Sequence, residues 1–178
     1  MTTYVAFLRG INVGGHNRMK MDALCDLVES LGYGDVRTYI QSGNVVFEAA
    51  EADDRALADD LAAAIDDAFS YDVTVMVRTF DELAGVVEGQ PFDVSDEEGI
   101  RHYVTFLHDE PSEDGIDALL DAARDGETFE VVGREVYSEL DKNVMSDGRY
   151  TDAGAKLGTP ATRRYWDVVT SVLELASP

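Results

Sequence analysis

The chain has 178 residues, an apolar fraction of 45%, and 36 acidic against 14 basic side chains, for a formal charge of −22. That length buries a core as one domain or as two small ones. No apolar run approaches the roughly 20 residues that span a bilayer, the run 4–8 is too brief for a signal peptide, and a lone Cys25 closes no internal disulfide. The expectation is a cytoplasmic protein in a reducing compartment, without a membrane partner.

The acids are 22 Asp and 14 Glu, the bases 11 Arg and only three Lys, at Lys20, Lys142 and Lys156. An Asp-rich, Lys-poor acidic surface suits molar salt, where the Debye length is about 3 Å and self-repulsion is screened. The composition therefore reads as halophilic. Residues 1–47 hold four acids and four bases, 48–130 hold 25 and four, and 131–178 hold seven and six. Both ends are spared acidification, either because something there opposes negative charge or because those residues are more buried.

In chain order, residues 3–8 read as a buried strand. Met21, Leu24, Cys25, Val28 and Leu31 then recur at helical spacing before Gly32-Tyr33-Gly34, which makes Cys25 a core thiol. Residues 36–40 and 45–47 read as strands of a hairpin around Ser42-Gly43-Asn44. A helix over about 53–69 keeps Leu57, Leu61, Ile65 and Ala68 on one stripe. Asp53-Asp54, Asp59-Asp60 and Asp66-Asp67 are then its solvated face rather than a cation site. A strand at 73–77 completes the order β-α-β-β-α-β.

A short helix at 80–87 and a Gly89-Gln90-Pro91 break follow, and the order restarts. Residues 102–107 form a strand, and Ser112 caps a helix with Ile116, Leu119, Leu120 and Ala123 inward. Residues 128–132 and 136–140 form a hairpin around Gly133-Arg134. Thr159-Pro160, a cap followed by proline, opens a last helix to about residue 176. This half lacks the final strand. The fold class is α+β: two ferredoxin-like halves of β-α-β-β-α-β type with mostly antiparallel sheet. Residues 1–78 are the N-terminal subdomain and 79–178 the C-terminal one with the terminal helix, either sharing one sheet or packed sheet against sheet.

In such a half the first two strands run parallel with the third between them, so the loop 9–15 and the turn 41–44 share an edge. The segment from Arg9 to Lys20 leaves a strand, passes Gly10, Gly14 and Gly15, and enters a helix. Backbone amides and a helix start can cradle an anion there, aided by Arg9, Arg18 and Lys20. Neither the Walker nor the dinucleotide glycine pattern is matched. The glycines also serve positive φ, with Asn12 and Asn17 tying the loop to itself. His16, His102 and His108 show no ligand spacing, so no metal is expected; a cofactor stays unknown.

Tyr4-Val5-Ala6-Phe7-Leu8-Arg9-Gly10-Ile11-Asn12-Val13-Gly14-Gly15 and Val36-Arg37-Thr38-Tyr39-Ile40-Gln41-Ser42-Gly43-Asn44-Val45-Val46-Phe47 resemble the "domain of unknown function 1697" family. Chain length fits the family domain. Thr162-Arg163-Arg164-Tyr165-Trp166 is similar to its C-terminal Thr-x-Arg-Asn-Trp signature, with Tyr165 where that pattern carries Asn. The resemblance implies ferredoxin-like halves and supplies no activity, substrate or cofactor.

In the expected last helix, Arg163 and Arg164 fall in the opening turns, where cations face the positive end of the dipole and want an anion. Asp167 within the helix or an external ligand could supply it, and Trp166, Val169 and Leu173 form the apolar stripe. The leading expectation is anion binding: Arg9, Asn12, Gly14, Gly15, Lys20, Gln41, Ser42 and Asn44, with Arg163 and Arg164, receive a phosphate-bearing ligand such as a nucleotide, a phosphorylated small molecule or a nucleic acid. Two rivals remain, a small hydrolase or transferase using Ser42 or His16 in the same cleft, and a protein-interaction module. Whether the protein is an enzyme, and its oligomeric state, stay open.

Overall fold

The computed structural model describes residues 1–95 and 98–178. Two compact units divide the chain, Met1–Gly85 with Thr170–Pro178, and Val86–Val169.

The first unit runs β1 (Thr2–Leu8), α1 (Met21–Ser30), β2 (Gly34–Thr38), β3 (Asn44–Ala49), α2 (Asp54–Phe69) and β4 (Val75–Thr79), and α3 (Phe80–Glu88) follows. The sheet order is β2-β3-β1-β4 with every pairing antiparallel. β1 and β2 are therefore parallel to each other with β3 between. Tyr4, Ala6 and Leu8 alternate onto the face that packs with Leu24 and Val28 of α1 and Leu57, Leu61 and Ile65 of α2. Tyr4 and Tyr33 both lie against the Phe47 ring, at centroid distances of 5.7 and 5.0 Å. Asp53 caps α2 by accepting from the Arg55 and Ala56 amides. Asp59-Asp60 and Asp66-Asp67 stay on the open side of α2, whereas Asp54 at its start is half-buried with Oδ2 sealed from solvent, and among the described residues no cluster of three ligating side chains could hold a metal.

Three residues fall off the expected stripes. Ala68 and Leu31 are exposed, each at the last turn or just past the end of a helix, and Cys25 is only half-buried.

The second unit runs β5 (Ile100–Leu107), α4 (Glu113–Ala122), β6 (Glu127–Val132), β7 (Glu135–Asp141), α5 (Lys142–Ser146), α6 (Ala153–Leu157), β8 (Ala161–Tyr165) and the start of α7 (Trp166–Ala176). Its sheet order β6-β7-β5-β8 repeats the first. The two halves thus own separate four-stranded sheets and do not share one. Ser112 caps α4 as expected, accepting from the Gly115 amide. Leu119 is fully buried, whereas Leu120 is 48% exposed and does not belong to the inner face.

The expected second half without a last strand is corrected by β8. Thr159-Pro160 does not open a helix: the Thr159 hydroxyl accepts from the Asp109 amide and the Pro160 carbonyl from the His108 amide. The next five residues pair with β5. Ala161-Thr162-Arg163-Arg164-Tyr165 contains no alternating large apolar residues, so its strand character comes from that pairing rather than from its own pattern. The helix begins only at Trp166.

The same two hydrogen bonds close each half. Leu8 N donates to Gly43 O (2.8 Å) and Arg9 N to Thr74 O (2.9 Å); Leu107 N donates to Arg134 O (2.8 Å) and His108 N to Pro160 O (2.9 Å). The end of each first strand is thereby tied to the hairpin turn on one side and to the approach of the fourth strand on the other.

At Gly43 (φ +85°) a Cβ would come within 2.8 Å of Leu8 Cβ and 2.9 Å of Ile11 Cδ1, whereas at Gly133 (φ +58°) the nearest atom is 3.9 Å away. Both alanine variants incur the left-handed backbone cost, but only Gly43→Ala also overpacks. Urea denaturation is expected to show Gly43→Ala less stable than Gly133→Ala by about 1–3 kcal/mol.

Candidate functional site

The turn and the first loop of the N-terminal unit meet through Asn12. Its Nδ2 donates to Met19 O (3.0 Å) and Gln41 O (2.8 Å), and its Oδ1 accepts from Met19 N (2.8 Å). Asn17 Nδ2 donates to Gly10 O, and the Asn12 amide to Asn17 O. Both asparagines sit at positive φ, +54° and +48°, a conformation that asparagine tolerates. The loop is thus tied to itself and to the turn. In the turn, Asn44 is fully buried and its Nδ2 donates to Tyr39 O and to Ser42 Oγ, both at 2.9 Å.

The expected edge therefore forms, but its residues divide by role. Asn12, Ser42 and Asn44 build the corner, and Gln41 offers it a carbonyl. Gly14 and Gly15 lie exposed at the tip, between Val13 and His16, which form an isolated β-bridge, and Arg18. A Cβ on Gly15 would lie 3.7 Å from Arg18 Nη2. Arg9, Arg18 and Lys20 are exposed, and among the described residues no carboxylate stands within ion-pairing distance of any of them. Lys20 is also the N-cap of α1, where its side chain makes no capping bond. It has no acceptor to offer the first-turn amides, and its charge faces the positive end of the helix.

Two apolar side chains flank the Asn12–Gln41 contact, Val13 at 63% exposure and Ile40 at 50%. Ile40 holds φ +49°. A β-branched residue in the left-handed region is a strained choice for an exposed position.

Ser42 and His16 do not form a nucleophile–base pair. The Ser42 hydroxyl accepts from Asn44, and the exposed His16 side chain hydrogen bonds no described residue. Burial pushes the Cys25 thiol above its ordinary range, outweighing a hydrogen bond with Thr38, so it is no activated nucleophile.

Arg163 and Arg164 are placed by β8, not by a helix start, so the dipole argument does not apply to them. The Arg163 guanidinium lies 4.3 Å from the centres of both the Tyr103 and Tyr150 rings, a two-sided cation–π contact. Arg164 is only 7% exposed, donates to Thr162 Oγ1 and to Arg163 O, and burial lowers its pKa to about 10. Trp166 is half-buried, while Val169 and Val172 are fully buried. Sequence reasoning missed the tyrosine sandwich because Tyr103, Tyr150 and Arg163 lie on three separate segments. The pair His102–Glu139 on β5 and β7 (2.9 Å) escaped for the same reason, since these strands are not chain neighbours and their register cannot be read locally.

Burial, reinforced by the hydrogen bond with Tyr165, pushes the Tyr103 phenol up, and burial raises that of Tyr137 to about 12. Above pH 10 the unfolded chain releases these protons before the folded one does. Their contribution to stability is therefore intact below about pH 10 and lost as pH rises through about 12. Urea midpoints measured across that window are expected to fall less steeply for a Tyr103→Phe/Tyr137→Phe variant than for the native protein.

Among solved structures, the conserved bacterial protein SP0830 from Streptococcus pneumoniae is similar over 99% of this chain and 99% of its own, with a TM-score of 0.80 and 19% sequence identity. That likeness establishes the fold. No curated protein matches the chain. The profile of the family described as "Protein of unknown function (DUF1697)" matches residues 1–137, which contain both the loop 9–20 and the turn 41–44 and leave Thr162 to Trp166 outside the match. With that match spanning more than half of its length, the chain belongs to the DUF1697 family.

Proposed function

We propose that the protein binds a phosphate-bearing ligand on the corner where the 9–20 loop enters α1. The observation that carries this reading is a difference between the two halves. Twelve residues, 9–20, join β1 to α1, whereas five, 108–112, join β5 to α4 in the same topology. The fold itself does not call for the longer connection, and long structured loops are where binding residues concentrate. The added length carries Arg18, Lys20 and the two tip glycines, and Arg9 opens it.

The electrostatics support an anionic ligand. Three exposed cations, without carboxylate partners among the described residues, lie on the stretch of the N-terminal unit that precedes the start of α1, where the N-cap side chain makes no capping bond. An incoming phosphate would receive charge from Lys20 and Arg18 and hydrogen bonds from the first-turn amides of α1. Val13 and Ile40 offer apolar ground beside them, which favours a nucleotide or a nucleic-acid base over a bare phosphosugar. Arg163 and Arg164 have no part in the proposed site, because ring stacking and burial already occupy them. The Asp-rich, Lys-poor composition supports a salty cytoplasm as the setting, where long-range repulsion from the −22 charge is screened and only local charge matters.

The test is a thermal-shift titration at molar potassium chloride with inorganic phosphate, a nucleoside monophosphate, a sugar phosphate and a short oligonucleotide. Native protein is expected to be stabilised by at least one of them. The Arg18→Ala/Lys20→Ala variant should bind it at least about tenfold more weakly, consistent with the loss of charge-assisted hydrogen bonds, while Lys156→Ala leaves binding unchanged. An unchanged affinity in the double variant, or no stabilisation by any of the four, overturns the reading.

A further inference from the structure

A cleft of about 420 Å³ opens in the second unit, at the end of its sheet where β5 begins and β8 passes into α7. Ile100, His102, Tyr165, Trp166 and Asp167 are among the residues that line it. Histidine 102 is the unusual wall. It stands directly opposite Glu139 across β5 and β7, and its Nε2 lies 2.9 Å from Glu139 Oε2. Its side chain is only 9% exposed, with the Phe92 ring at 6.3 Å.

A carboxylate can only accept from a ring nitrogen, so Glu139 fixes the proton of a neutral imidazole on Nε2 and leaves the lone pair on Nδ1. No described residue hydrogen bonds Nδ1, yet Nδ1 is not one of the sealed polar atoms that lack a partner. It therefore reaches accessible space, on a residue that lines the cleft. The result is a nine-tenths-buried imidazole, oriented by a carboxylate, that presents one unfilled acceptor to a cavity.

The surroundings indicate what would fill it. Tyr165 and Trp166 give the cleft aromatic walls, and Ile100 an aliphatic one. Among the described residues, the carboxylates of Asp93 and Glu139 stand near the ring, against one guanidinium at Arg101. That balance disfavours an anion. We propose that this cleft is a binding site for a small, uncharged, ring-bearing molecule whose hydroxyl donates a hydrogen bond to His102 Nδ1 while its ring lies against Trp166 and Tyr165. His102 would be the ligand-contacting residue and Glu139 a positioning residue that acts through it. This site lies wholly within Val86–Val169 and does not depend on the phosphate corner of the other unit.

The test reads the ring nitrogens of His102 by nitrogen-15 NMR in the native protein, with phenol, glucose and adenosine as probes. These three distinguish a phenolic, a sugar and a nucleoside source of the hydroxyl. The proton is expected on Nε2, and at least one probe at millimolar concentration is expected to move the Nδ1 resonance, saturably. In Glu139→Gln the side-chain amide can either accept from Nε2–H or donate to Nε2, so the proton is no longer held on Nε2 alone. That variant should show a mixture of tautomers and a weaker Nδ1 response to the probe than the native protein. A purely structural His102–Glu139 pair would leave Nδ1 indifferent to every probe, and that result overturns the proposal. A native tautomer with the proton already on Nδ1 does so as well. Both readouts use native protein, so the conclusion stands even if Glu139→Gln fails to fold.

Discussion

The close approach of the first strand to the first hairpin turn governs the N-terminal unit. Gly43 leaves no room for a side chain against Leu8 and Ile11, and its carbonyl receives the Leu8 amide. That contact fixes the direction in which the chain leaves β1. Asn12 then uses both ends of its amide group to hold the departing loop against Gln41 and Met19. A loop of twelve residues would ordinarily lose much conformational entropy on ordering; here the cost is met by a few well-placed side chains. Beyond the closed corner, Lys20 stands at the N-cap of α1, beside a helix end that ordinarily repels a cation.

The topology was legible in the sequence wherever period and punctuation agreed. Leu57, Leu61 and Ile65 at helical spacing behind Asp53 marked α2 and its cap, and Ser42-Gly43-Asn44 marked the first hairpin. From the split β-α-β order alone, the juxtaposition of the loop with the turn could be derived, and the Asn12–Gln41 bond realises it. β8 was illegible for a physical reason. An edge strand of Ala, Thr, two Arg and Tyr gains its conformation from pairing with β5, and Thr-Pro before it imitates a helix start. Misplacing that strand also misassigned its two arginines, which belong to a tyrosine sandwich and a buried hydrogen-bonded position.

The loop and turn residues were legible in their juxtaposition rather than in their hydrogen bonding. Asn12, Ser42 and Asn44 lie where a ligand pocket was expected, but their polar atoms are engaged by backbone and by one another. Among the described residues, the side chains left without an ion-pair partner in this stretch are those of Arg9, Arg18 and Lys20. Charge arithmetic pointed the same way, because the N-terminal segment is neutral within a chain of charge −22. The tertiary pairs, His102 with Glu139 and Arg163 with two tyrosines, depend on registers between strands and segments far apart in sequence, and no local pattern encodes those.

The repeated closing hydrogen bonds have a consequence for how such a protein changes over time. Because Leu107 and His108 close the second half around a five-residue connection, the closure evidently demands nothing from the intervening chain. The exposed tip of the twelve-residue loop, residues 13–16, is then a tenant of the scaffold, whereas Ile11 and Met19, buried in the core on either side of it, are beams in it. Lineages can recolour that tip without renegotiating the sheet, so two chains on one skeleton could present different groups there.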